Sequence, residues 1–127
     1  MKVLLDTHIF LWAITDDPRL TNKQRAVFLD GGNDLYLSLA SVWEMLIKVG
    51  IGKLPLPQPA SPYIHKHAEK NRIVTLGIHA AHLAELEKLP PLHRDPFDRM
   101  LVAQARAEKM PILSSDPALK KYGVKLL

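Results

Sequence analysis

The segment KVLLDTHIFLW (residues 2–12) joins two apolar runs through a single acidic residue, Asp6. KVLL is predicted to be a buried strand, because strands covered on both faces have continuous apolar runs. The stretch from Thr7 to Thr15 is apolar nearly all round, which indicates a helix that is buried or covered by a partner. A charge between two such runs is costly to bury without a purpose. Asp6 is therefore predicted to be a functional residue.

Short apolar runs alternate with helical segments along the rest of the chain. Further strands are predicted at residues 35–38, 73–76 and 111–114, and residues 124–127 are a candidate for a last short strand. Helices are predicted at residues 21–30, 41–49, 63–71, 79–88 and 97–109. Because parallel neighbours need helical crossovers, this order predicts an α/β fold whose mostly parallel sheet is covered on both faces.

Length and composition favour a single domain over residues 1–127. The chain has 127 residues, a net charge of +4 and no cysteine, which excludes disulfides and thiolate metal sites. Its first apolar run is too short for a signal peptide, and no stretch approaches the ~20 apolar residues of a membrane span. We therefore expect a soluble, cytoplasmic protein with no membrane association. The basic excess suits a polyanionic partner but is weak support for one.

Four acidic residues are predicted to meet at one edge of the sheet: Asp6, Glu44, Asp98 and Asp116. Asp6 and Asp116 follow strands directly or by one residue, so they lie at the carboxyl edge. Glu44 is expected in the first turn of a helix that starts at that edge. Asp98 is expected in the first turn of a helix that leads into the strand at 111–114. Ligands of such sheets bind beyond the carboxyl ends of the strands.

Four neighbouring carboxylates would raise one another's pKa unless a cation neutralised them. Oxygen ligands without cysteine favour a hard ion, Mg²⁺ or Mn²⁺. Such an ion lowers the pKa of a bound water and stabilises charge on a phosphoryl oxygen. The composition of the predicted site thus favours phosphodiester hydrolysis over acyl transfer.

Three of the acids also have an ordinary structural explanation. Glu44 lies three residues after Ser41, as in a capping box, and four before Lys48, as in a surface ion pair. Asp98 would be favourable in the first turn of any helix because of the helix dipole. Asp116 precedes Pro117 and would cap a short turn. Spacing leaves these alternatives open, and the convergence of all four acids is what favours a site.

The segments LLDTHIFLW, SVWEMLIKVGIGKL, HRDPFDRMLVAQA and ILSSD together resemble the PIN-domain ribonucleases, specifically the VapC-type toxins of toxin–antitoxin pairs. The resemblance implies a three-layer α/β/α sandwich and Mg²⁺- or Mn²⁺-dependent cleavage of RNA. It also implies a homodimer, and inhibition by a cognate antitoxin protein that covers the active-site groove.

Carried over by residue, the resemblance makes Asp6, Glu44 and Asp98 the family acids and Asp116 a fourth, more variable one. Asp95 is the register alternative to Asp98, but Asp98 stands directly before the helical segment that matches the family pattern. Thr7 and Ser114 match positions that often carry a hydroxyl beside the acids.

Several other side chains are candidates for substrate or partner binding. Arg94, Arg99 and Lys48 are candidate phosphate contacts, although a solvated surface or a counter-charge to the acids is the slightly favoured explanation. His93 is a weaker candidate for substrate binding, because a histidine in a loop is more often simply exposed. Trp12 and Trp43 are expected to pack in the core or an interface rather than to stack on bases. The first two helices are expected to form a groove for the antitoxin.

Two other classes of protein compete with a nuclease. A receiver domain or a haloacid-dehalogenase-type phosphatase needs a second acidic residue beside the first, and Asp6 is followed by Thr7 and His8. A PIN-like fold that only binds RNA or a partner, without catalysis, is the remaining alternative. The complete set of acids disfavours it.

Overall fold

The computed structural model describes residues 1–127 and contains one sheet of four parallel strands in the order β3-β2-β1-β4. The strands are β1 (Lys2–Leu5), β2 (Asp34–Ser38), β3 (Val74–Leu76) and β4 (Ile112–Leu113). β1 is central and pairs with β2 on one side and with β4 on the other. The predicted parallel sheet is thus confirmed.

Six α-helices and one 3-10 helix connect and cover the strands. They are α1 (Thr7–Ile14), α2 (Asn22–Leu29), α3 (Leu39–Gly50), α4 (Ala60–Lys70), α5 (Ala80–Lys88), α6 (Pro96–Glu108) and the 3-10 helix Pro117–Tyr122. None of the helices has the combination of length and apolarity that crossing a bilayer requires.

The alternation of side chains along β1 divides the core into two layers. Val3 and Leu5 point into the apolar cluster formed with α1 to α4, whereas Leu4 points into the cluster formed with α6 and the 3-10 helix. All three side chains are fully buried. Successive residues of a strand face opposite sides of the sheet, so a central strand that is apolar at every position requires helices on both faces.

Local sequence explains where the helices begin, with one correction. Thr21 and Gln24 form the capping box of α2, and Asp95 caps α6 ahead of Pro96. The prediction that Ser41 opens α3 is wrong. Ser38 is the cap, and its hydroxyl accepts a hydrogen bond from Ala40 N at 3.0 Å. The strand β2 therefore passes into α3 without an intervening loop, and the helix includes two residues more at its start.

The carboxyl-terminal strands are shorter than predicted. β4 has only two residues, Ile112 and Leu113, and Pro111 before it has no amide hydrogen to donate to a neighbouring strand. The candidate strand at 124–127 is reduced to a single parallel bridge between Leu126 and Ile112. The sheet therefore extends only a short distance on the β4 side of β1. After Leu113 the chain leaves the sheet at the carboxyl ends of the strands.

Truncating Leu101 should expose how much α6 contributes to folding. Leu101 is fully buried in the second apolar cluster, whereas Leu83 on α5 is 52% exposed. We expect Leu101→Ala to lower the free energy of unfolding by about 2–5 kcal/mol, because it removes buried methyl groups and leaves a cavity. Leu83→Ala should stay within about 0.5 kcal/mol of the parent. Urea unfolding of the two variants measures both, and equal losses would contradict the assigned core.

Candidate functional site

Asp6 lies at the carboxyl end of β1, where it is 6% exposed. It occupies the residue before α1, but its side chain makes no capping hydrogen bond to that helix. The Ser114 hydroxyl donates to Asp6 Oδ2 at 2.6 Å. Burial raises the pKa of the Asp6 carboxyl, and the hydrogen bond from Ser114 opposes that rise. A helix cap therefore does not explain this buried acid.

Glu44 faces inward rather than lying on the surface. It is 4% exposed, although its spacing from Ser41 and Lys48 is also that of a cap and a surface pair. Because α3 begins at Leu39, Glu44 is in the second turn and not in the first turn as predicted. Lys48 Nζ lies 2.8 Å from Glu44 Oε2, and this hydrogen bond raises the pKa of Lys48. The lysine is the one cation paired with the buried carboxylate.

Asp95 and Asp98 have different tasks in the first turn of α6. Asp95 Oδ1 accepts hydrogen bonds from Phe97 N at 2.8 Å and Asp98 N at 3.1 Å, so Asp95 is occupied as the helix cap. The Asp98 carboxylate turns toward Asp6. Burial raises the pKa of Asp98 to about 7, and the nearby carboxylates of Asp6 and Asp95 contribute to the rise. Asp98, rather than Asp95, is the acid available to a ligand.

Asp116 divides its two oxygens between structure and site. Oδ1 accepts from Ala118 N at 3.0 Å and so caps the 3-10 helix, as the alternative explanation predicts. Oδ2 is left facing His93. Asp116 N donates to the Ser114 hydroxyl at 3.0 Å, which places Asp116 next to Asp6 through one shared serine. The capping explanation therefore accounts for only half of this carboxylate.

His93 lies beside Asp98 and Asp116, although its position in a loop makes simple exposure the more usual expectation. Its Nε2 lies 3.4 Å from Asp98 Oδ2 and 3.4 Å from Asp116 Oδ2. Its Nδ1 accepts from Asp95 N at 3.0 Å, so the ring proton of the neutral imidazole is on Nε2 and points toward the two acids. His93 N donates to the Tyr122 hydroxyl at 2.7 Å, which fixes the loop to the 3-10 helix. No local pattern indicates this, because Tyr122 is far away in sequence.

Two hydroxyls predicted beside the acids are buried there, and the two arginines are not directed at the acids. Thr7 Oγ1 donates to Ser41 Oγ at 2.8 Å, joining α1 to α3 near Glu44. Arg99 donates to Pro90 O at 2.9 Å and to Leu89 O at 3.4 Å, so it holds the loop before α6. Arg94 is exposed and makes no hydrogen bond or ion pair. We therefore leave both arginines out of the proposed site.

The acids border an open cavity of about 340 Å³, which is lined by Asp6, His8, Trp12, Arg19, Asp98, Ser115 and Asp116. Glu44 lies behind this lining, close enough for its charge to raise the pKa of both Asp6 and Asp98. Oxygen atoms of Asp98 and Asp116 and a nitrogen of His93 all lie within 4.8 Å of one another. Carboxylate oxygens that repel one another at this spacing are the donors that Mg²⁺ and Mn²⁺ prefer. The residues present thus fit a hard divalent cation.

Comparison with known sequences and structures agrees with the resemblance found in the sequence. The profile of the PIN domain family matches residues 3–125. Ribonuclease VapC16 of Mycobacterium tuberculosis (strain ATCC 25618 / H37Rv) is 37% identical over 71 residues, which are 53% of this chain and 50% of that protein. The match with this curated relative therefore spans half of the relative's length.

Solved structures share the fold at low sequence identity. VapBC2 from Rickettsia felis bound to a DNA fragment from their promoter has a TM-score of 0.72 and 17% identity, over 100% of this chain and 98% of that one. VapBC-1 from nontypeable Haemophilus influenzae has a TM-score of 0.71 and 16% identity, over 100% and 97%. FitAcB from Neisseria gonorrhoeae has a TM-score of 0.63 and 18% identity, over 98% and 96%. These likenesses confirm the α/β/α sandwich, and because the family profile spans nearly all residues, the chain belongs to the PIN-domain family.

Proposed function

We propose that the chain is a metal-dependent endoribonuclease and the toxin of a type II toxin–antitoxin pair. The observation that carries the proposal is the meeting of Asp6 and Asp98 in one cavity, with pKa values raised above the ordinary range. Such a pair is costly unless a cation binds between the carboxylates. Membership of the PIN-domain family and the VapC ribonuclease relative support RNA as the substrate. A cytoplasmic location, where RNA is available, follows from that substrate.

The proposed Mg²⁺ or Mn²⁺ would be held by Asp6, Asp98 and Asp116, with Glu44 as a ligand or as a charge behind them. When bound, such an ion supplies an activated water and stabilises negative charge on the phosphoryl oxygens. Ser114 orients the carboxylate of Asp6 and the backbone of Asp116 together. Hydrogen bonds of this outer kind fix the direction of metal-binding oxygens.

His93 is proposed to act as a donor beside the acids rather than as a metal ligand. Its Nδ1 is occupied by the backbone of Asp95, so Nε2 carries the hydrogen and has no lone pair to offer. That hydrogen is directed at Asp98 and Asp116, from which Nε2 is 3.4 Å away in each case. The same N–H is available to an oxygen of a phosphate that enters the cavity.

The proposed antitoxin would bind along α1. A second cavity of about 460 Å³ lies there, and its apolar lining includes Leu11, Met45, Leu54 and Leu56. This proposed groove is lined by α1, α3 and the segment after α3. The groove expected from the sequence was formed by α1 and α2. The cavity is next to the acids because Trp12 and His8 line both. A protein segment bound in it would cover the entrance of the site.

The proposed homodimer would use the outer face of α3. Leu39, Trp43, Ile47 and Ile51 recur every four residues at its surface and are 45%, 60%, 41% and 61% exposed. Trp43 also packs edge-on against Phe97, with ring centroids 5.2 Å apart. An apolar stripe of this length on one helix is self-complementary about a two-fold axis.

Removing single charges from the site should abolish cleavage without unfolding the protein. We expect Asp6→Asn and Asp98→Asn to lower Mg²⁺- or Mn²⁺-dependent RNA cleavage by more than roughly 100-fold, beyond the effect typical of an outer-shell change. The control is Glu87→Gln, an exposed acid on α5. Cleavage of a labelled RNA and circular dichroism measure activity and folding. Full activity in both aspartate variants would refute the assignment, and metal binding without any cleavage by the parent would favour a silent binding module.

Without metal, Asp98 should destabilise the protein at alkaline pH. Its pKa in the folded protein, about 7, exceeds the ordinary value of 3.8. The folded state therefore keeps a proton that the unfolded state releases, and stability is lost as pH rises from about 4 through 7. In EDTA at pH 8, we expect Asp98→Asn to raise the melting temperature by on the order of 5 °C, and this advantage should shrink at pH 5.

The same melting experiment includes a metal arm. Mn²⁺ at pH 8 should raise the melting temperature of the parent more than that of Asp98→Asn. An ion stabilises the folded state in proportion to how tightly it binds, and the variant lacks one of the proposed ligands. Glu87→Gln should follow the parent throughout. An Asp98→Asn protein that melts below the parent at pH 8 in EDTA would contradict the conclusion that the ionised Asp98 carboxylate destabilises the folded protein.

A charge in the α3 stripe should separate the proposed dimer. We expect Trp43→Glu to sediment as a monomer at concentrations where the parent is a dimer, because the glutamate would be buried without a partner. Leu29→Glu is the matched control, since Leu29 is 69% exposed at the end of α2. Analytical ultracentrifugation distinguishes the two outcomes. A parent that is itself monomeric, or a Trp43→Glu protein that remains dimeric, would exclude this face.

A further inference from the structure

The cavity of the acids has a second set of side chains that the proposed hydrolysis does not use. His8, Trp12 and Arg19 line it together with Asp6, Asp98 and Asp116. The three are close to one another in sequence, on α1 and the turn after it. We call them the ring wall, since two are aromatic rings and the third is a planar cation.

The members of the ring wall lie over one another. The guanidinium carbon of Arg19 is 5.1 Å from the centroid of the Trp12 ring, which is the range of a cation–π contact. The His8 ring is centred 5.9 Å from that of Trp12 and tilted by 44°. The wall thus brings two mutually tilted aromatic rings and one planar cation together at the border of the cavity.

Arg19 is held in place although its side chain is 69% exposed. Asp17 Oδ1 accepts from Arg19 N at 2.9 Å and from Nε at 3.1 Å, and Asp17 Oδ2 accepts from Nη2 at 2.8 Å. These hydrogen bonds lower the pKa of Asp17 to about 2. Asp17 N in turn donates to Trp12 O at 2.9 Å. An exposed arginine ordinarily loses side-chain entropy when it binds, and this turn removes much of that cost beforehand.

The chemistry of the wall fits an unpaired nucleobase. Bases in single-stranded RNA stack on aromatic rings and on arginine planes, whereas bases inside a duplex are not accessible for this. Arg19 Nη1 makes no hydrogen bond in the structure and remains available to a base edge or a phosphate. The neighbouring cavity along α1 shares His8, Trp12 and Arg19 with this one, and adds Leu11, Leu54 and Leu56, which suit the aliphatic side chains of a protein segment.

We propose that the ring wall is a stacking subsite for one unpaired base next to the scissile phosphate. The proposal rests on the proposed nuclease function and goes beyond it by assigning the binding of a base to three side chains outside the set of acids. It also reverses the expectation that Trp12 serves only for packing.

The test uses RNA octamers of one sequence, intact or with an abasic nucleotide at each position in turn. Binding is measured in EDTA, where cleavage is prevented, by fluorescence of a Trp43→Phe protein in which Trp12 is the remaining tryptophan. We expect the intact octamer to quench Trp12. One abasic position should remove the quenching and weaken the Kd by roughly 5- to 150-fold.

Trp12→Leu completes the experiment, with Trp12→Phe as the conservative control. Because both variants lack Trp12, their affinity for the octamers is measured by the fluorescence anisotropy of a label on the RNA. For the octamer that is abasic at the sensitive position, Trp12→Leu should cause no further loss of affinity, because the stacked base is already absent. Trp12→Phe should bind the intact octamer nearly as the parent does. Equal weakening of intact and abasic octamers by Trp12→Leu would show a structural role and overturn the proposal.

Cleavage with Mn²⁺ separates the two levels of inference. Cleavage of intact and abasic octamers with the same kcat/KM would leave the nuclease standing and overturn the stacking subsite. The subsite would also be overturned if only a protein partner, and no RNA, changed the Trp12 fluorescence. Absence of all metal-dependent cleavage, in contrast, would refute the proposed function itself, and with it the subsite. The abasic series needs no change at Trp12, so it decides even if Trp12→Leu fails to fold.

Discussion

The hydrogen bond from the Ser114 hydroxyl to Asp6 joins the carboxyl ends of two neighbouring strands, and the geometry of the site depends on it. β1 and β4 pair through Leu5 and Leu113, so the next residue of each chain segment emerges side by side. Ser114 uses its hydroxyl twice, as donor to Asp6 and as acceptor from Asp116 N. A strand of only two residues is therefore sufficient to fix two acids relative to each other.

Three features of the site reduce the repulsion among its acidic side chains. Glu44 has Lys48 at 2.8 Å, so part of the charge is neutralised within α3. Asp98 responds differently, because burial and its acidic neighbours raise its pKa to about 7 and favour the protonated form. His93 directs an N–H toward Asp98 and Asp116 from the loop. The ion pair with Lys48, the raised pKa of Asp98 and the N–H of His93 together lower the electrostatic cost of folding. The carboxylate oxygens remain close enough together to bind a cation.

The sequence was sufficient for the sheet and for part of the site. Alternating apolar runs predicted parallel strands, and the position of Asp6 between two of them indicated function. The choice of Asp98 over Asp95 came from the family pattern and stays a prediction, to which the structure adds that Asp95 is occupied as the helix cap. The burial of Glu44 was not predictable, since its spacing from Ser41 and Lys48 fits a helix cap and a surface ion pair equally well. The sequence makes His93 only a weak candidate for substrate binding, because its orientation depends on contacts that are distant in sequence.

Tyr122 connects the 3-10 helix near the end of the sequence to the loop that carries His93. Its buried hydroxyl accepts from His93 N at 2.7 Å and from Arg99 Nη1 at 3.3 Å. The Tyr122 hydroxyl thereby links the loop before α6 to the 3-10 helix that Asp116 caps. His93 and the carboxylate of Asp116 are therefore positioned through a shared contact. A tyrosine late in the sequence thus helps to position two side chains that lie beside Asp6, the sixth residue.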